Sequence, residues 1–119
     1  MRRSPKPEIK ALDALCRTYI MLRDRHRCQK CGKRDRLQWA HVHTRGVHSL
    51  RWTDENSLCL CSGCHLKGHL HPLEFARWFT EAYPERARAL TLMRQTARRV
   101  DRAAVAVWLK QQIKRLEAV

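Results

Sequence analysis

The chain has 119 residues, 44% hydrophobic and 30% charged, a composition that suits one globular domain and excludes a disordered chain. Lys and Arg number 25 against 11 Asp and Glu, a net charge of +14, so the expected partner is a polyanion, most simply nucleic acid, and not a small molecule. No apolar run reaches membrane-spanning length and no apolar segment follows the basic start "MRRSPKPEIK", so neither a membrane partner nor a secretory signal is expected, and a reducing cytoplasm is the expected location.

Residues 1–7 hold basic residues with Pro5 and Pro7 and read as a loose arm. Residues 8–26 read as a helix, because Leu12, Leu15, Cys16, Tyr19 and Leu22 recur at helical spacing. "CQKCG" is a tight turn. Residues 36–43, "RLQWAHVH", alternate as a strand, with Leu37, Trp39, His41 and His43 on one face. A loop, "TRGVHSLRWTDE", leads to a second short strand over 57–60. Residues 62–70 read as a helix with Ser62 as N-cap. Pro72 suits the first turn of a helix over 72–82. A basic helix over 85–99 carries Arg86, Arg88, Arg94, Arg98 and Arg99. Asp101 caps a last helix over 102–117, whose stripe Val105, Trp108, Leu109, Ile113 and Leu116 is core or, as the alternative, a docking face for another protein. The fold class expected is α+β, mostly helical, in a single domain over 1–119.

Cys28 and Cys31 form one C-x-x-C pair and Cys61 and Cys64 another, with 29 residues between them. Four thiolates at such spacing are what a closed structural Zn2+ site uses, and a reducing compartment disfavours the alternative of two disulfides. Zinc at such a site supplies on the order of 10–16 kcal/mol at neutral pH, large for so small a core. Cys16 and Cys59 are left over and read as buried, unreactive thiols. His65 and His69, four apart on a helix, share one side of a turn and can offer two ligands to one ion. If the knuckles fold the strand of His41 over that helix, the three imidazoles meet at a second cation.

The order Cys-x2-Cys, His41, Asn56, Cys-x2-Cys-His65 and x3-His69 resembles the HNH endonuclease family. Within it, "RDRHRCQKCG", "AHVHTRG", "RWTDEN", "CSGC" and "PLEFARWF" are similar to segments of NinG-like phage recombination proteins, over roughly residues 9–117. The resemblance implies a ββα-metal core over 28–70 between the N-terminal helix, 8–26, and a helical extension, 72–117. It implies that His41 is the general base, that Asn56 orients the hairpin loop and the base, and that His65 and His69 hold a catalytic divalent cation (Mg2+, Mn2+, Ni2+ or Zn2+). Where most members place an Asp or His ligand before the base, this chain has Ala40. His43 is the first candidate to fill that place, ahead of Asp54 or water.

The activity implied is hydrolysis of DNA phosphodiester bonds, leaving 5′-phosphate and 3′-hydroxyl ends, in phage or prophage DNA processing. A histidine with a pKa near 6.5 suits proton abstraction at neutral pH. Arg45, Arg51 and Lys67 flank the expected site and are expected to hold DNA phosphates, with the arginines of 85–99 extending the track. His48 reads equally as a phosphate contact or a solvated side chain. Trp39 and Trp52 read as packing residues. The competing expectation is a zinc-stabilised DNA-binding module whose nuclease centre has decayed, favoured by Ala40. A homodimer and a second phage recombination protein are the protein partners considered.

Overall fold

The structure, a computed structural model, describes residues 6–43, 48–96 and 99–118. Its elements run α1 (Ile9–Arg23), β1 (Leu37–His41), a 3-10 turn (His48–Leu50), β2 (Ser57–Cys61), α2 (Ser62–Leu70), α3 (Pro72–Ala82), α4 (Pro84–Gln95) and α5 (Arg102–Glu117). The class is α+β and mostly helical. None of these helices is long and apolar enough to cross a membrane.

β1 and β2 form an antiparallel pair in which Leu37 faces Cys61, Trp39 faces Cys59 and His41 faces Ser57. Side chains alternate across such a ribbon, and both faces are buried. Trp39 and Cys59 join Leu12, Cys16, Tyr19 and Ile20 of α1 and Ala106 and Leu109 of α5. Ala40, Leu58 and Leu60 pack on the other side with Cys28 and Phe75. A third cluster, Leu50, Phe79 and Leu90, joins α3 and α4 to the 3-10 turn. The apolar stripe of α5 is therefore committed to α1: Val105, Ile113 and Leu116 pack beside it, and the Trp108 ring meets Tyr19 edge-on at 5.3 Å.

The boundaries differ from the sequence expectation where side chains interrupt local propensity. α1 stops at Arg23 because Arg25 and His26 take left-handed backbone (φ 59 and 51), and because the Asp24 carboxylate accepts the Cys59 N–H at 2.8 Å. That bond and Gln29 N–H to Cys59 C=O at 2.9 Å satisfy the outer edge of β2. β1 ends at His41, two residues short of expectation, because the Asn56 side chain takes over its pairing. Cys61, and not Ser62, caps α2, its sulfur accepting the Cys64 N–H. α4 begins at Pro84, whose missing N–H costs nothing at a first helical position, and ends at Gln95. Asp101 caps α5 by accepting the Ala104 N–H at 3.1 Å. The loose arm expected over 1–7 lies outside the described residues except for Lys6 and Pro7.

Candidate functional site

The four cysteines come from two knuckles that the hairpin brings together. Gly32, at φ 83, lets the chain curl so that its N–H reaches the Cys28 carbonyl at 2.9 Å. Cys61 closes β2 and Cys64 lies in the first turn of α2. The four sulfurs lie within 4.8 Å of one another, and those of Cys31 and Cys61 are 3.6 Å apart. Two sulfurs on one tetrahedral zinc stand about 3.8 Å apart, given bonds of about 2.3 Å. The cluster could hold a metal ion such as zinc, and its all-thiolate donor set fits that ion. Burial pushes the Cys28 thiol up, but N–H groups from Cys61, Cys31 and Lys30 outweigh it and bring it down to about 6. Burial and the neighbouring thiols push Cys64 up to about 12. Four adjacent thiolates need a cation to coexist. Cys16 and Cys59 stand apart, both buried and pushed by burial up to about 12 and about 11, the inert state expected of core thiols.

Asn56 is fully buried. Its side-chain oxygen accepts the His43 N–H at 2.8 Å, and its amide nitrogen donates to the carbonyls of His43 and Leu50, each at 3.1 Å. It thereby fixes both ends of the loop between the strands. His41 sits at the end of β1 with its ring 4.3 Å from that of Trp39. Its Nε2 lies 3.2 Å from the Arg51 carbonyl oxygen. A carbonyl only accepts, so Nε2 carries the hydrogen and Nδ1 the lone pair.

His65 and His69 project from α2 with their Nε2 atoms 3.1 Å apart, close to the ~3.3 Å that two nitrogens take on one tetrahedral zinc. Nδ1 of His65 donates to the Gln38 side-chain oxygen at 2.6 Å, which leaves the His65 Nε2 as an acceptor aimed at His69. This pair, with His41, His43, Ala40, Phe75 and Ala76, lines one pocket of about 440 Å³. All three histidines line this cleft, but His41 lies on the strand face of Trp39, opposite the one that α2 covers, and turns its Nε2 to the Arg51 carbonyl. A third ligand does not join the histidine pair: among the described residues the four cysteines are the one group of three or more His, Cys, Asp or Glu whose donor atoms gather within 4.8 Å. His43 lines the cleft without completing the pair. Its ionisation is pushed down by burial and by Arg94. Asp54 is engaged elsewhere, by the Tyr19 hydroxyl and by Arg23 at 3.1 Å.

The expected DNA contacts divide. Lys67 is exposed on α2. Arg51 is instead held by Asp13, at 2.9 and 2.6 Å, and its side chain is only 16% exposed. Arg45 lies outside the described residues, as does Arg98. In the basic helix, Arg86 turns inward, donating to the Ser57 carbonyl at 2.8 Å and stacking on Tyr83. Arg88 and Arg94 are exposed. His48 is exposed with its ring edge-on to Trp52. Trp39 and Trp52 are core residues.

Sequence reasoning missed Gln38 and Asp13. Gln38 neighbours Trp39 on β1, so alternation alone places it on the opposite face from Trp39 and His41, the face that α2 covers. Nothing in the sequence marks Asp13, whose partners lie 38 and 39 positions away. No family model matches the chain, and neither a curated protein nor a solved structure matches it.

Proposed function

We propose that the chain is a zinc-stabilised, metal-dependent endonuclease of the HNH type that hydrolyses DNA phosphodiester bonds. The observation that carries this reading is that His41, His65 and His69 all line one cleft, in a chain whose four-sulfur cluster fits zinc. The charge of +14 favours DNA as the polyanion. His41, its Nε2–H directed at the Arg51 carbonyl, offers Nδ1 to take the proton from the attacking water. Asn56 holds the loop that carries that carbonyl. His65 and His69 would hold the divalent cation, with Gln38 orienting His65 as an outer partner. When bound, the cation supplies Lewis-acid stabilisation of the phosphate and the departing oxygen. Lys67 and Arg88 attract the DNA backbone.

Supercoiled plasmid incubated with Mg2+, Mn2+, Ni2+ or Zn2+ tests the reading. Wild type should nick, and a folded His41→Ala variant should lose about 10²–10⁴-fold in rate. Equal residual cutting by both proteins removes the nuclease assignment. A second reading, a DNA-binding module with a degenerate nuclease centre, is favoured by Ala40 and by the two-histidine ligand set; it predicts DNA binding without nicking by any of these ions.

A further inference from the structure

We infer that Asp13, on α1, positions His41 through the main chain of Arg51; only the activity arm of the test rests on the nuclease reading. Among the described residues, the Asp13 carboxylate accepts three hydrogen bonds from two consecutive residues. Arg51 donates through Nε at 2.9 Å and Nη2 at 2.6 Å, and Trp52 donates through its indole N–H at 2.8 Å. A two-pronged guanidinium–carboxylate pair fixes orientation as well as distance. The peptide between Arg51 and Trp52 is thus anchored by the side chains on both its flanks. Trp52 is buried in the cluster that holds Leu12, Cys16 and Trp39, and Arg51 N–H is tied to the His48 carbonyl at 3.2 Å. The oxygen of this anchored peptide is the one facing the His41 Nε2.

The consequence is directional. Arg51 contributes a main-chain atom to His41, which no substitution at 51 removes; what substitution removes is the grip that aims it. Asp13 acts on His41 through Arg51, so it is a positioning residue and not a catalytic one. Its effect should appear in how firmly His41 holds its Nε2 hydrogen and how readily the ring accepts a second proton, since a carbonyl acceptor favours the cation.

The test compares Asp13→Asn and Arg51→Met with wild type by 1H–15N spectra of the histidine side chains, as a function of pH. In wild type the Nε2 proton of His41 should be protected from exchange with water. In both variants it should exchange, and the pKa of His41 should fall. The two variants separate aim from charge. Loss of the Asp13 charge would lower that pKa by itself, whereas loss of the Arg51 cation would by itself raise it. His43, His65 and His69, which line the same cleft, are followed in the same spectra, so that a change spread over all four marks a general loosening. A raised His41 pKa in Arg51→Met, a proton still protected in both variants, or equal changes at all four histidines overturns the inference. Should Asp13→Asn not fold, Arg51→Met decides alone. In the activity arm, nicking should fall about tenfold or more, with DNA affinity within about twofold of wild type. If wild type does not nick at all, the nuclease reading fails while the spectra still decide the role of Asp13.

Discussion

Asn56 uses both ends of its amide on main chain with none of its surface exposed, and the two ends are not interchangeable. Asn56→Ala leaves one N–H and two carbonyls without their partner in a dry site, which should cost on the order of 3 kcal/mol in urea denaturation. Asn56→Asp is nearly the same shape, but it sets a carboxylate oxygen against the carbonyls of His43 and Leu50. It should therefore destabilise at least as much as the alanine. A variant within about 0.5 kcal/mol of wild type would show that the loop is held by other contacts. The role of Asn56 as the loop's organiser was legible through family resemblance alone, since "TDEN" by itself reads as a turn. Its burial and its two-sided pairing belong to the folded chain.

At the scale of elements, β2 is buried along its whole length and has no alternation to read, and Pro72, Pro84 and Asp101 mark the starts of α3, α4 and α5, whereas α1, β1 and α5 were located by periodicity. It failed at ends fixed by distant groups: Asp24 reaching Cys59 stops α1, and Asn56 reaching His43 stops β1. The same blindness affected the basic residues. Arg51 and Lys67 look alike in the sequence, yet Arg51 is paired to Asp13 and Lys67 is exposed. Lys67→Gln should weaken DNA binding and reduce the salt slope of log K by about 0.9, one phosphate contact. Arg51→Met should leave that slope unchanged. Fluorescence anisotropy with a labelled duplex between about 50 and 200 mM salt measures both, and a slope lost at Arg51 instead of Lys67 would reverse the assignment.

For the molecule as a whole, the sheet divides the core into separate clusters, and the four cysteines tie one of these to the hairpin. Removal of a bound zinc by chelation should therefore lower Tm sharply and loosen β1, β2 and α2 first. The bound state releases the metal on acidification, as thiolates take up protons. Scanning calorimetry with and without chelator checks this; an unchanged Tm in protein shown to contain zinc would mean that the cluster is ornamental to stability. The grouping of the cysteines was legible from their spacing, whereas the placing of His41 and α2 along one cleft required the strand register that sets His41 opposite Ser57.

The packing of α1 against α5 has a consequence for biosynthesis. Leu12, Tyr19 and Ile20 are covered by the helix made far later in the chain. At about 5–20 residues per second, α1 leaves the ribosome several seconds before its cover exists. During that interval the nascent protein offers a greasy, cation-studded helix to whatever is nearby, so its early chain needs shielding until the last helix arrives.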